Sequence, residues 1–340
     1  MSCERVSAVV PARNAAATIG RCLDALLPRV GHELVEVVVV DDGSQDATAH
    51  IARERGARVV RERGRGAAAA RNTGWRAVDS PWVWFVDADC VAEPDALEWL
   101  CRRVAADDLS ARGARSAELV GVGGSYSNLR PDSLVATLIH EEIVLRHAAM
   151  PTEVDFLATF DVLYRRSALE KVDGFDERFL KAQDAELAFR LRRAGGRLGF
   201  ERRSRVGHFH DTSLRSYLRT QRQQGYWRVW LYFEHPGRMA GDSYSGGFDH
   251  LQPPLALLSL ASLVLAPMGA PALPALSYAL LGLSTLPMTW RLVRTTGRPL
   301  LACFAPFAAL RAHWRGIGMA AAALRASLAA SARALRGRRP

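Results

Sequence analysis

Acidic residues are missing from the last quarter of the chain. From Leu251 to Pro340 there is no Asp or Glu, while ten Arg stand there. The 340-residue chain has a formal net charge of +10, so residues 1–250 are balanced at 35 basic and 35 acidic groups. A nucleic-acid binder spreads basic residues over its folded face, so nucleic acid is not an expected partner. A neutral body with a basic tail suits an anionic membrane surface. Lysine is scarce, at Lys171 and Lys181 only; compositional drift toward Arg and Ala accounts for that, and nothing is inferred from it. Cys3, Cys22, Cys90, Cys101 and Cys303 form no CxxC and no metal-type spacing. They read as reduced thiols of a cytosolic compartment. No secretory leader is expected, since the apolar run Val6–Val10 is short and meets Pro11. With 49% hydrophobic and 24% charged residues, the composition excludes a disordered chain. No internal repeat is visible.

What is present first is an alternation of strands and helices. Val6–Val10 and Val35–Val40 are β-branched runs that read as buried strands. Ile19, Leu23, Leu26 and Leu27 share one face of a helix predicted over Ala16–Leu27. A helix over Thr48–Arg55, a strand over Arg58–Arg61, a helix over Ala67–Val78 and a strand over Trp82–Val86 follow. The pattern predicts an α/β fold, a mostly parallel sheet with helices on both faces. Beyond it come a helix, an Arg/Ala/Ser-rich loop at Asp107–Ser116 and a strand at Leu119–Val122. Residues 155–210 hold a strand, a turn at Asp173–Asp176, a helix over Asp184–Ala194 and a strand near Leu198–Phe200. A long helix rich in Arg, Gln and aromatics covers 214–235.

From Leu251 to Trp290, 40 consecutive residues carry no formal charge. A bilayer crossing takes about 20 apolar residues, so this stretch is long enough for two. Pro267, Gly269, Pro271 and Pro274 cluster where a hairpin would turn, and Arg291, Arg294 and Arg298 follow, as a cytoplasmic return requires. The alternative is a buried hairpin of a soluble protein. Leu300–Leu335 reads as an amphipathic helix lying in the membrane interface, or as a solvated tail helix.

Ligands of parallel sheets bind outside the carboxyl ends of the strands, and five motifs qualify for chemistry. Asp41-Asp42-Gly43-Ser44 ends the second strand; its carboxylates can hold base or ribose hydroxyls, or Ser44 or Asp46 can simply cap the next helix. Asp87-Ala88-Asp89 ends another, and two carboxylates so close repel unless a cation neutralises them. A hard divalent ion with oxygen ligands does that. Gly64–Gly74 opens an Ala-rich helix whose N-terminus can face phosphate, with Arg71 in reach; packing alone is the alternative. Asp184 can take a proton from a hydroxyl or merely suit the helix dipole. His208 in Val206–His210 is a metal-ligand type, though a lone His is more often structural.

In this order, the elements resemble the family 2 glycosyltransferases of the GT-A fold. The resemblance rests on Val9–Asn14, Asp41–Ser44, Arg65-Gly66 with Ala70–Gly74, Asp87–Asp89, Phe160–Arg166, Gly174–Phe179, and Asp184 with Arg190 and Gly195. It implies that a nucleoside-diphosphate sugar binds through Pro11, Ala12, Arg13, Asn14, Asp41, Asp42, Arg71 and Asp87. It implies a divalent metal, Mg or Mn, at Asp89 and His208, and Asp184 as the base. Gly174, Phe175, Gln223 and Trp227 fall on the acceptor side. The reaction implied is a single displacement that inverts the anomeric centre. The acceptor is a hydroxyl of a glycan or lipid-linked molecule, at the cytoplasmic face of the cell inner membrane. The expected organisation is a transferase domain over 1–235, a linker over 236–250, a membrane hairpin over 251–290 and a basic interfacial tail over 291–340.

Three departures stand out. Ala15 follows the first-strand Asn where the family often has an acidic residue, and Gln183 precedes the base where an acidic residue is usual. Processive synthases carry Gln-x-x-Arg-Trp, whereas here Gln223-Gln224-Gly225-Tyr226-Trp227 has Tyr for Arg; single sugar transfer is therefore expected. A sugar nucleotidyltransferase would show a Gly-rich loop with Arg and Lys where Ala15-Ala16-Ala17 stands. A non-catalytic scaffold has no need of Asp87, Asp89 and Asp184.

Overall fold

The computed structural model describes residues 5–110, 117–238 and 242–336. Cys3 and most of the expected loop, residues 111–116, lie outside them. The chain divides into two compact units, Met1–His210 and Asp211–Pro340.

The first unit is built on a sheet. β1 (Val6–Ala12), β2 (Leu34–Asp42), β3 (Arg58–Glu62) and β4 (Trp82–Val86) run parallel in the order β3-β2-β1-β4. Alternation along each strand sends side chains to opposite faces. Val6, Ala8, Val10, Trp82 and Trp84 pack under α1 (Ile19–Leu26), α2 (Thr48–Glu54) and α4 (Ala96–Ser110). Val9, Val38, Val40, Val83 and Phe85 pack on the other face under α3 (Ala67–Arg76). Helices thus cover both faces. Gly74 lets α3 press on the sheet, since a Cβ there would come 2.2 Å from Val9 Cγ1.

Past β4 the sheet becomes mixed. β4 pairs antiparallel with β8 (Asp161–Arg165), β8 with β6 (Leu119–Asn128), and β6 runs parallel to β9 (Arg197–His208). The short β5 (Cys90–Ala92) and β7 (Glu153–Val154) pair antiparallel with β9. α6 (Arg166–Lys171) and α7 (Gln183–Arg193) complete the face that holds α3.

Several boundaries move from the sequence reading. α1 starts at Ile19 rather than Ala16 because the backbone N–H groups of Ala15 and Ala16 donate to Thr48 Oγ1, at the start of α2, and to Asp46 Oδ2 in the loop before it. α4 runs on through Asp107, whose carboxylate takes Arg197 at 2.6 Å. β9 is 12 residues long; the charges that hid it are accommodated because the buried Glu201 pairs with Arg203 at 2.8 Å, two positions on along the same face, while Arg202 is exposed. α5 (Leu134–Ala149), capped by Ser133, had no counterpart in the sequence reading.

The second unit is helical: α8 (Leu214–Glu234), α9 (Gly247–Ser262), α10 (Ala272–Thr296) and α11 (Phe304–Arg336). α8 groups here and not with the sheet, so the boundary falls at His210 rather than at residue 235. The reason is a glycine-mediated helix crossing: a Cβ on Gly225 would meet Arg315 O at 2.1 Å, and one on Gly318 would meet Arg222 O at 2.0 Å. α9 and α10 form the expected hairpin, with Pro267, Gly269 and Pro271 between them.

Candidate active site

Three loops at the carboxyl ends of β1, β2 and β4 form the rim. The β1 loop is stitched to the β2 loop: Asn14, at φ +50°, accepts from Gln45 N at 2.8 Å and donates its own N–H to Ser44 Oγ. Asp41 accepts from Ser44 N at 3.0 Å. Asp42 accepts from Gly66 N at 3.1 Å, and the exposed Arg13 stands 3.6 Å away. Burial raises the Asp42 carboxyl, with the Gly66 N–H and Arg13 pulling the other way. Glu62, held down to about 2 by Arg65 and the Arg63 N–H, ties Arg65 to the same loop. Arg65 also reaches Glu177 at 2.5 Å.

At the end of β4, Asp87 meets Arg71 of α3 at 2.6 Å. Arg71 is buried, and its Nε and Nη1 have no hydrogen-bond partner among the described residues. Burial holds the Asp87 carboxyl above its usual range although Arg71 pulls against it. The following turn is pinned on both sides, by Asp87 N donating to Phe160 O and Phe209 N donating to Asp89 O. That pinning, and the register that puts Cys90 opposite His208, brings Asp89 Oδ2 to 3.4 Å from His208 Nε2. Burial works against the Asp89 carboxylate, but the hydrogen bond and charge of His208 outweigh it and hold its pKa low.

Ligand atoms of Asp89, Cys90 and His208 lie within 4.8 Å of one another. The Cys90 thiol is pushed well above its ordinary pKa by burial and by Asp89 and Asp87, and its soft sulfur is a poor match for a hard Mg2+ or Mn2+ ion. What remains is a carboxylate and an imidazole, a donor pair that fits Mn2+ or Mg2+ when oxygens complete the shell. Asp87, engaged by Arg71, is outside this cluster.

Behind His208 lies a row of rings. His208 Nδ1 is 2.8 Å from His210 Nδ1, and His210 Nε2 is 3.4 Å from His140 Nδ1. Burial pushes His210 down to about 3 and His140 to about 4. Tyr126, stacked on Phe160 at 3.5 Å, supports both His208 and His210.

Asp184 sits half-buried in the first turn of α7, with its Oδ1 accepting from Ala185 N. α3, which carries Arg71, and α7, which carries Asp184, pack on the same face of the sheet, through Ala68, Ala70 and Trp75 of the one and Leu187, Ala188 and Leu191 of the other. Asp184, Arg71 and Asp87 therefore lie on one side of the sheet.

Comparison with known proteins decides the family. The sequence profile of glycosyl transferase family 2 matches residues 7–173. A pre-mycofactocin glycosyltransferase of Mycobacterium tuberculosis is 30% identical over 249 residues, 71% of this chain and 50% of that protein. Glycosyltransferase AglE of Haloferax volcanii is 28% identical over 202 residues, 57% of this chain and 64% of that protein. Residues 7–173 are a glycosyl transferase family 2 domain. The chain spans about half the length of the mycobacterial relatives it matches. Among solved structures, the mannosyltransferase PcManGT from Pyrobaculum calidifontis, in complex with GDP-Man and Mn2+, aligns with a TM-score of 0.53. That alignment covers 92% of this chain and 87% of that one at 21% identity, a likeness of fold alone: the chain has the GT-A fold.

Pro11–Asn14, Asp41, Asp42, Arg71, Asp87, Asp89, His208 and Asp184 all lie in the first unit, with the family 2 domain. Gly174 and Phe175 lie there too, but not on an open acceptor face. Phe175 is 2% exposed, its N–H and C=O both bonded to Asn72, its ring against Phe85 at 5.5 Å with Arg71 above it. Gly174, at φ +67°, has no room for a Cβ, which would stand 2.4 Å from Asn72 Oδ1. The pair supports Arg71. Gln223 and Trp227 belong to α8 in the second unit. Two residues with clear work here, Asn72 and His210, stand inside motifs the sequence reading singled out but received no role; the His-x-His spacing of 208 and 210 was the available signal.

Proposed function

We propose that this enzyme transfers one sugar from a nucleoside-diphosphate sugar to an acceptor hydroxyl, inverting the anomeric centre. The observation that carries the proposal is the common face of the sheet on which α3, bearing Arg71 paired to Asp87, and α7, bearing Asp184, are packed, with Asp89, in the loop after β4, paired to His208. Arg71 supports the reading because two of its buried donors have no partner among the described residues, and buried donors ordinarily find an acceptor. A diphosphate oxygen is such an acceptor. Asp41, Asp42, Arg13 and the β1 loop would bind the nucleoside. Asp89 and His208 would hold Mg or Mn, which when bound offsets charge developing on the leaving diphosphate.

Asp184 takes the proton of the acceptor hydroxyl. The acceptor oxygen then bonds to C1 from the face opposite the leaving group, the bond from C1 to the diphosphate oxygen breaks, and nucleoside diphosphate departs with that electron pair. A bystander scaffold or a nucleotidyltransferase gives no use to a carboxylate so placed. The test is donor turnover with and without chelator. The parent should show metal-dependent release of nucleoside diphosphate, and Asp184→Asn should bind nucleotide while losing at least 100-fold in turnover. An Asp184→Asn variant that turns over like the parent would refute the assignment.

The helical unit supports a membrane reading, with the transferase domain on the cytoplasmic side of the cell inner membrane and a glycan or lipid-linked acceptor. Gly247–Leu265 and Ala272–Thr296 are long and apolar enough to cross a bilayer. Their packing is inverted relative to a soluble hairpin. Gln252, Ser259, Ser262, Ser277, Ser284 and Thr289 are buried, with Ser262 Oγ and Ser277 Oγ 3.2 Å apart, while the large side chains from Leu258 and Val264 to Leu283 and Leu286 point outward. Small and hydroxylated residues inside with leucine outside is how helices pair in lipid. The ten Arg and absent carboxylates of 251–340 match an anionic headgroup layer.

A further inference from the structure

His208 can offer Nε2 to a cation only if its proton is on Nδ1, and whatever accepts from Nδ1 fixes that choice. Here the neighbour is unusual. It is neither a carboxylate nor a carbonyl but a second imidazole nitrogen, His210 Nδ1, at 2.8 Å. Two ring nitrogens at that separation cannot both carry hydrogen, so one ring presents a lone pair. His210 is 4% exposed and makes its second contact, from Nε2, with His140 Nδ1 of α5 at 3.4 Å. The ring planes are held from the side, since Tyr126 lies 4.9 Å from His208 and 5.5 Å from His210 while stacked on Phe160.

We propose that His210 and His140 form a hydrogen-bond chain that sets the tautomer of His208 and thereby tunes its affinity for the divalent cation; this rests on the metal reading above. With Nε2 of His208 given to a cation, Nδ1–H of His208 donates to Nδ1 of His210. Nε2–H of His210 then donates to Nδ1 of His140, and all three rings are neutral with one consistent direction of donation. Without a cation, Nε2–H of His208 can turn to Asp89 Oδ2 at 3.4 Å, and donation between the two rings reverses. His210 and His140 are positioning residues; neither touches substrate. The chain ends on α5, the helix that the strand-and-helix pattern did not reveal, which gives that helix a connection to the site.

The experiment measures Mn2+ binding by electron paramagnetic resonance on the full chain in detergent, alone and with UDP or GDP. His210→Phe keeps the ring volume and removes the acceptor; it should raise the Mn2+ Kd roughly 10- to 100-fold. His210→Asn puts an amide oxygen near the Nδ1 position and should stay within about threefold of the parent. His140→Phe, on a half-buried site at the far end, serves as the variant least able to disturb folding and should weaken Mn2+ by about threefold. Nitrogen-15 spectra of the His rings give a second readout: adding Mg2+ should move the His208 Nδ1 signal to the protonated position in the parent and in His210→Asn. Equal Mn2+ affinity in the parent and a folded His210→Phe would overturn the chain, as would loss of affinity in His210→Asn matching that in His210→Phe. A parent that binds no Mn2+ under any condition would instead overturn the metal reading itself.

Discussion

Asn72→Ala is the substitution whose cost can be worked most fully from the structure. The buried amide makes four hydrogen bonds: Nδ2 donates to Phe175 O at 2.8 Å and Glu177 Oε1 at 3.1 Å, and Oδ1 accepts from Phe175 N at 2.8 Å and Trp75 Nε1 at 3.1 Å. Alanine leaves three of those partners, Phe175 N, Phe175 O and Trp75 Nε1, buried and without a match. Each stranded group costs about 1–3 kcal/mol, and relaxation or an entering water recovers part, so a loss of about 3–5 kcal/mol is expected. For a domain of this size each kcal/mol lowers Tm by about 2–4 °C, which predicts a fall near 10 °C. Function should follow through Phe175, whose ring lies under Arg71. The donor KM should rise about tenfold, a change worth about 1.4 kcal/mol, while Mn2+ affinity stays put because Asp89 and His208 have separate supports. Asn72→Asp should be no milder, since its second oxygen would face Phe175 O and the Glu177 carboxylate. Thermal denaturation and donor-dependent kinetics on the same preparations decide it. A Tm within 2 °C of the parent would refute the accounting, because it would mean the stranded groups had found partners at no cost.

Two further outcomes follow from buried and exposed groups elsewhere. Asp161 is fully buried between Trp84 Nε1 at 2.8 Å and Ser204 Oγ at 2.7 Å, and burial lifts its pKa to about 6. Between the unfolded value near 3.8 and about 6 the native state keeps a proton that the unfolded chain has lost, so stability falls as pH rises through that window. The parent should lose about 2 kcal/mol relative to Asp161→Asn from pH 4 to pH 7, read as the difference of their Tm profiles; parallel profiles would count against it. Leu258 and Leu283 are each 59% exposed on the hairpin, and an Asp costs about 3 kcal/mol at mid-membrane. The full chain should float with phosphatidylglycerol vesicles, and Leu258→Asp with Leu283→Asp should float far less; flotation unaffected by both changes would argue against insertion.

Much of the first unit was readable from local pattern. The strands Val6–Ala12, Leu34–Asp42 and Trp82–Val86 are dense in β-branched and aromatic residues, and their carboxyl ends carry the acidic motifs. Charge counting likewise separated a neutral body from a basic tail. Where polar residues line a strand the pattern fails, as in β9, whose buried Glu201 is neutralised by the exposed Arg203.

Periodicity and spacing therefore determined which residues end each strand, that the front half is α/β, and that a charge-free hairpin follows it. They could do so because strand and helix repeats depend on neighbours a few positions away. Only the tertiary structure decided that Asp87 belongs to Arg71 while Asp89 belongs to His208, that Phe175 is buried beneath a guanidinium, and that α8 joins the second unit through Gly225 and Gly318. Those are pairings between elements far apart in the chain, set by sheet register and by how closely two backbones can approach, and no local repeat encodes them.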